Sequence, residues 1–376
     1  MGNKVKVVHI IVGLNAGGAE KMLLKLLSYT DRERFDLAVI SMTDKSHYGS
    51  VIEDMGIPVH TLNMKRGFPS LKAIIKAKKI IEDVDIIQTW MYHADFLGYL
   101  LSKFYSNVKL IWGIRQSNLE RRNNKLSTLI LAKINSLLSK KTNAIISCSL
   151  KAKETHVKFG YDINKIEVIP NGFEIDKYYP EINGAQNLKK MFKIPQNKNI
   201  LAHIARWDIQ KDHENFFLAL KEIIIKNPNT VALMCGLNID YENIQLVNLI
   251  KKYKLDDYVM LLGVRDDIPF ILSGVDVFVS SSSGEGFPNV IGEAMACETL
   301  CAVTDVGDSS FIVGNFGMVV PRKNPTALSK AILRILNMDV TEKETLKKNA
   351  RKRVQENFEI NTVVKKYESI YELLYR

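Results

Sequence analysis

The sequence predicts an α/β protein made of two similar parallel-sheet domains, and three observations carry that expectation. Short apolar runs alternate with amphipathic stretches of helix length through both halves of the chain, the pattern of strand–helix–strand units. The first apolar run, Lys4–Val12, leads into a glycine-rich loop, Gly13-Leu-Asn-Ala-Gly-Gly18, which would place free N–H groups at the carboxyl edge of a sheet, where open α/β sheets bind ligands. The rhythm breaks at the polar stretch Glu181–Asn187 and restarts at Asn199. At 376 residues the chain suits two domains of ordinary size, with the boundary expected between 185 and 186.

Composition narrows the class. Hydrophobic residues make up 46% and charged residues 25%, as in globular proteins. No apolar run approaches the roughly 18 residues a membrane span needs. MGNKVKVVHIIVGL reads as a first strand and not as a signal peptide, since it lacks a small-residue cleavage site. Met1-Gly2 fits the start of a myristoylation motif, but Lys6 stands where Ser or Thr is required. Cys148, Cys235, Cys297 and Cys301 show no paired metal spacing and read as buried thiols in a reducing compartment. The net charge of +11 favours anionic partners: a nucleotide, a phospholipid surface or nucleic acid. Nucleic acid is the weakest of these, because no basic–aromatic recognition motif is present.

In the first half, strands are expected at Lys4–Val12, Phe35–Ser41, Val59–Leu62, Ile86–Thr89, Lys109–Ile114, Ala144–Ser147 and Lys165–Ile169. Helices are expected at Ala19–Tyr29, Ser50–Met55, Leu71–Ile81, from about Asp95 to Phe104, at Glu120–Lys141 and at Lys151–Phe159. Glu120–Lys141 is amphipathic, and Arg121, Arg122, Lys125, Lys133, Lys140 and Lys141 make it basic. It suits a helix packed on the sheet with a solvated face, or one touching a membrane surface. Ile169-Pro-Asn-Gly172 has the chemistry of a turn. In the second half, strands are expected at Asn199–Ile204, Val231–Cys235, Val259–Leu262, Val277–Ser280, Cys301–Thr304 and Gly317–Val320. Helices are expected from about Glu214 to Lys226, after Pro269, at Asn289–Cys297, Pro325–Met338, Thr341–Asn357 and Asn361–Arg376.

The chemistry concentrates in VFVSSSSGEGFPNVIGEAMACETLCAVTDV, Val277–Val306. A strand ends in serines, a loop of small residues follows, and Pro288 sits where a helix can start. The first N–H groups of that helix, near Asn289, Val290 and Ile291, would lack intrahelical partners and attract phosphate. Glu285 before the helix and Glu293 one turn inside can accept from hydroxyls flanking a bound diphosphate. A diphosphate between two polyols is a nucleotide sugar.

SSGEGFPNVIGEAMAC resembles the E-x7-E segment of family 4 of the retaining glycosyltransferases, whose fold is GT-B: two Rossmann-like domains with parallel sheets facing across a cleft. Glu298 and Leu300 stand where that family often has Gly and Pro. The resemblance extends to the GGAE tetrad Gly17–Glu20, to IPNGFEIDKYYP and to the R-x4-K pair Arg206 and Lys211. It implies a metal-independent, retaining transfer without cofactor. The donor would be a nucleotide sugar, with UDP favoured by family analogy; the acceptor would be a saccharide or a polyprenyl-linked saccharide, and the excess positive charge and lack of a span suggest a lipid-linked one at the inner membrane face. It implies an acceptor-side domain (1–185), a donor-binding domain (186–357) and a last helix (358–376) crossing back onto the first.

The site residues follow in the same terms. His93, just past a strand end, would lie between donor and acceptor. Arg206 and Lys211 would neutralise the departing diphosphate. Glu285 would accept from the transferred sugar and Glu293 from ribose. Gly17 and Gly18 would let the backbone approach the donor phosphate or the acceptor. Arg265 would lie near the nucleobase, and Gly286, Phe287, Asn289, Val290 and Ile291 would complete the donor site. Arg115 and Asn171 are acceptor-side candidates; Arg115 could equally pair with a carboxylate.

Three other classes compete. A nucleotide-sugar epimerase shares the two-domain layout and would act on the donor alone. A nicotinamide dehydrogenase needs the G-x-G-x-x-G fingerprint, which is absent. A non-catalytic sugar-binding protein could lose the acids and cations, and all four are present here.

Overall fold

The computed structural model describes residues 4–15, 17–64, 70–121 and 124–376. Met1, Gly2, Ala16 and Arg122 of the sequence reading lie outside them. The chain divides into two compact units, Met1–Gly172 with Ile360–Arg376, and Phe173–Glu359.

The first unit alternates strand and helix: β1 (Val5–Ile11), α1 (Gly18–Tyr29), β2 (Phe35–Ser41), α2 (Gly49–Asp54), β3 (Val59–Thr61), α3 (Leu71–Ile80), β4 (Ile86–Trp90), α4 (Tyr92–Ser102), β5 (Lys109–Ile114), α5 (Leu126–Leu138), β6 (Ala144–Ser147), α6 (Leu150–Phe159) and β7 (Ile166–Val168). All seven strands pair in parallel in the order β3-β2-β1-β4-β5-β6-β7. The second unit holds α7 (Gly184–Met191), β8 (Asn199–Ile204), α8 (His213–Lys226), β9 (Thr230–Cys235), α9 (Ile244–Tyr253), β10 (Val259–Leu261), α10 (Ile268–Gly274), β11 (Val277–Ser280), α11 (Asn289–Ala296), β12 (Leu300–Thr304), α12 (Ser309–Val313), β13 (Met318–Val320), α13 (Pro325–Leu336) and α14 (Val340–Phe358). Its six strands are again all parallel, in the order β10-β9-β8-β11-β12-β13. The last helix, α15 (Ile360–Tyr375), belongs to the first unit.

Each sheet is buried on both faces, which is why its strands are near-continuous apolar runs. In the first unit α1 and α15 cover one face, where Leu23, Leu26, Val363, Tyr367 and Tyr371 pack with Val7, Phe35 and Trp90. Helices α3 and α4 cover the other through Ala73, Ala77, Ala94, Leu97 and Leu101. In both sheets the strand order reverses direction at one point, between β1 and β4 and between β8 and β11. The loops at the carboxyl ends there are the places where doubly wound sheets bind ligands.

Four expectations are corrected. The first unit ends at Gly172, not at 185, and regains the chain at Ile360, not at 358. Phe173 already belongs to the second unit: its ring stacks on Phe287 and meets Phe358 edge-on. The polar stretch at the expected boundary ends in a helix, α7, which packs on α10 because Gly184, Gly274 and Leu188 allow close approach. Helices α9 and α12 were not visible in the apolar pattern; α9 buries only Leu246 and Ile250. Within the basic stretch Glu120–Lys141 the α-helix of the described residues spans Leu126–Leu138, followed by a 3-10 turn at Ser139–Lys141. Glu298, where the family often has Gly, adopts the left-handed φ of 58° that Gly would adopt without strain.

Candidate active site

The switch point of the second unit is built by the loops after β8 and β11. Arg206 leaves β8 largely exposed, and its Nε and Nη2 fork onto Asp208 Oδ2 at 3.2 and 3.0 Å. Asp208 also accepts from Gln210 N–H at 2.9 Å and so starts the 3-10 turn Ile209–Lys211. Burial would raise the Asp208 pKa, but that N–H and Arg206 together hold it below the ordinary range. Lys211 then points back across to the β11 loop, with Nζ 2.5 Å from Glu285 Oε1. Ser282 donates to the same oxygen at 2.7 Å.

The two loops are tied together beneath this pair. Ser281 donates to the carbonyls of Lys211 and Asp212 at 2.9 and 3.0 Å. Its single proton is thereby used, so His203 Nε2, 3.0 Å from Ser281 Oγ, is the donor of that contact. Burial, then His213 and Lys211, push the His203 pKa down, and the imidazole is neutral. Ser283 N–H donates to Gln210 O at 2.7 Å and Thr304 donates to Ser282 O at 2.6 Å. The backbone carrying Lys211 and Glu285 is therefore fixed from below.

The helix α11 starts as the sequence suggests, with Pro288 as its N-cap. The Ile291 N–H lies 3.2 Å from Pro288 O, and its side chain is fully buried. Asn289 and Val290 occupy the half-buried first turn. Glu293 faces inward, 3% exposed. The phenol of Tyr178 hydrogen-bonds it, and burial, then the Glu293 charge and hydrogen bond, raise the pKa of that phenol. A ribose reading Glu293 would have to share it with Tyr178. The ring of Phe287 joins Phe173 and Phe358 in an aromatic core. Gly286 contributes its carbonyl, which accepts from Asp308 N–H at 3.0 Å. Arg265 lies after the edge strand β10, forked onto Asp267 at 2.8 and 2.6 Å and 5.7 Å over the Phe192 ring. The structure groups Arg206, Lys211, Glu285 and the α11 start, and leaves Arg265 two strands away.

In the first unit the switch point gathers Gly17, Gly18 and His93. Gly17 is the N-cap of α1. A Cβ at Gly18 would meet nothing within 4 Å, so space beside it is open. His93 lies in the first turn of α4, half-buried, and burial lowers its pKa. Met91 before it is held at φ 75°, ψ 161°, a conformation non-glycine residues rarely adopt. The bonds Met91 N–H to Gly113 O and Asp95 N–H to Met91 O, 3.0 and 2.9 Å, hold it there. Arg115 and Asn171 meet, Nη1 to Oδ1 at 3.4 Å, and among the described residues no ion pair joins Arg115 to a carboxylate. It stacks 4.0 Å over Trp90 and donates to Tyr367 OH at 2.6 Å, so its charge is spent on α15. His203, Ser281, Ser282, Asp208, Tyr178 and Met91 escaped the sequence reading; only the Ser-rich strand end gave any signal.

The family Glycosyl transferases group 1 matches residues 185–353, and Glycosyltransferase Family 4 matches residues 16–177. The chain is a group 1 glycosyltransferase. This glycosyltransferase is 26% identical over 381 residues to the UDP-Gal:alpha-D-GlcNAc-diphosphoundecaprenol alpha-1,3-galactosyltransferase of Escherichia coli, covering 98% of this chain and 97% of that one. It is 24% identical over 360 residues to the capsular polysaccharide biosynthesis glycosyltransferase CapM of Staphylococcus aureus, covering 92% of each. The structure of Anabaena Alr3699/HepE in complex with UDP and glucose superposes with a TM-score of 0.83 at 21% identity, over 97% and 98% of the two chains. That likeness, with the two parallel sheets, establishes the GT-B fold of the glycosyltransferase. Among the described residues no helix is long and apolar enough to cross a membrane, and no three His, Cys, Asp or Glu side chains converge as a metal site.

Proposed function

We propose that this glycosyltransferase moves a hexose or N-acetylhexosamine from a UDP-sugar to a saccharide or polyprenyl-linked acceptor, with retention and without metal or cofactor, at the inner face of a membrane during cell-surface polysaccharide synthesis. One observation carries the chemistry: Lys211 is fixed against Glu285 at the switch point of the second sheet, with Arg206 and the first turn of α11 on the same loops. The cations and helix start neutralise the diphosphate as the bond from sugar C1 to phosphate oxygen breaks. A new bond forms from C1 to the acceptor oxygen on the same face, and the acceptor proton passes to the departing phosphate. Glu285 accepts from hydroxyls of the transferred sugar, and Glu293, sharing Tyr178, accepts from ribose. His93, whose pKa burial lowers, accepts from or donates to the sugar at the reacting edge. The names of the relatives above support a UDP donor and a diphosphoundecaprenol-linked acceptor.

The test is a screen of nucleotide sugars for protection against thermal unfolding, followed by transfer assays with the protecting donor. A bound donor raises the apparent midpoint. Protection by UDP-sugars, with the product anomer matching the donor and activity surviving chelator, is the expected result. Failure of every nucleotide sugar to protect, or epimerised donor formed without acceptor, overturns the reading.

A further inference from the structure

We propose that the outward face of the α3–α4–α5 layer is a docking surface for a bilayer containing anionic phospholipid. The three helices lie side by side on one face of the first sheet, α4 touching both neighbours. In α3 the buried residues are Ala73 and Ala77, and Leu71 and Ile75 lie on the opposite side of the helix, pointing away from the sheet. In α5 the buried set is Leu131, Ala132, Asn135 and Ser136. Leu126, Ile130 and Leu137 form one stripe opposite them. These five large side chains are half to three-quarters exposed, from 50% at Ile130 to 73% at Leu71. Folding therefore leaves two apolar stripes on the same side of the same sheet.

Charge identifies what covers them. The three helices contain one acidic residue, Asp95, and it is fully buried. Exposed Lys72, Lys79, Lys125, Lys140 and Lys141 flank the stripes, and Lys133 lies within one. A second copy of the chain related by a two-fold axis would set lysine against lysine. A bilayer with anionic head groups answers both features, because apolar side chains enter the acyl boundary while lysines meet phosphate. The surface deepens the membrane side of the proposed function and rests on that reading only for its purpose.

The experiment is co-sedimentation of the full chain with vesicles of phosphatidylglycerol and phosphatidylcholine, or of phosphatidylcholine alone, without donor or acceptor. Binding is expected only to the anionic vesicles, strong at about 0.1 M salt and largely lost at about 1 M. Ile130→Asp with Leu137→Asp, and Ile75→Asp alone, should each lower the bound fraction about tenfold while the thermal midpoint holds. Lys140→Glu with Lys141→Glu, which keeps the apolar stripe intact, should do the same. A folded chain that ignores anionic vesicles, binding equal on neutral vesicles, variants that bind unchanged, or a dimer that the same variants break would each overturn the proposal. Because no donor is present, such a failure leaves the transfer reaction standing, while donor protection lost with vesicle binding retained indicts the reaction alone.

Discussion

Lys211 Nζ stands 2.5 Å from Glu285 Oε1, although 74 residues separate them in sequence. Neither side chain is more than about a fifth exposed, and Ser282 donates to the same carboxylate oxygen. The pair is screened less than a surface ion pair, and in the proposed reaction its cation is the one that meets the departing diphosphate.

Lys211→Ala should lower turnover about 100- to 1,000-fold, the scale of losing one preorganised charge-stabilising group. Stability should fall by only about 1–2 kcal/mol, the cost of leaving a partly buried carboxylate without its donor. Steady-state kinetics beside a thermal melt decide; turnover that survives nearly intact removes Lys211 from the mechanism.

Ser281→Ala should act through Lys211. The hydroxyl bridges His203 to the carbonyls of Lys211 and Asp212, and its loss frees that backbone. A fall in kcat of about tenfold with KM little changed is expected, with a stability cost of about 1–3 kcal/mol for the unsatisfied groups. If the melt shifts and kcat does not, the bridge is only structural.

Asp95 is fully buried, and burial pushes its pKa up to about 8, against the pull of Thr89, Gly113 N–H and Arg115. Its Oδ2 has no hydrogen-bond partner among the described residues. The unfolded carboxyl ionises near its ordinary 3.8 while the folded one keeps its proton up to about 8. Each pH unit between therefore favours the unfolded chain by up to about 1.4 kcal/mol. Asp95→Asn does not titrate, so its denaturation midpoint should gain on the parent protein steadily as pH rises from about 5 to about 8. Parallel slopes for the two proteins would mean that Asp95 is charged in the fold.

Three buried histidines act at the other end of the scale. Burial lowers His9 to about 3, helped by Arg115, and His156 and His213 to about 4. For His156 burial outweighs its bond to Ala152 O, and its other nitrogen meets Tyr92 OH at 2.8 Å. A group held below its unfolded pKa contributes stability that is whole above 6.5 and is lost as pH falls toward 4. His156→Gln should flatten that acid limb by up to about one proton's slope in denaturant titrations. An unchanged slope would show that His156 is already charged.

Much of this was legible in the chain. Runs such as VKVVHII and TVALMC are largely apolar because both sheet faces are covered, and that signal needs no partner to be read. Glu285 and Glu293 stood out by their place around a helix start, and Arg206 and Lys211 by their resemblance to the R-x4-K pair of the family. Helix α9 did not, because a single buried stripe of two residues is a weak period over ten. The sequence did not show that the Phe287 ring packs in an aromatic cluster or that the Ile291 side chain is fully buried, because both depend on distant chain segments.

By itself the sequence determined two rounds of parallel-sheet alternation and a helix start after Pro288 with Glu285 and Glu293 on either side of it. Those features are local, written by periodicity, proline and spacing over a few residues. Only the tertiary structure decided that Lys211 meets Glu285, that Tyr178 shares Glu293, that Arg115 is spent on Tyr367 and that the lysines of α3 and α5 line one face. Each depends on chain segments brought together by sheet order and burial, and no local pattern encodes which distant partner a buried polar group will find.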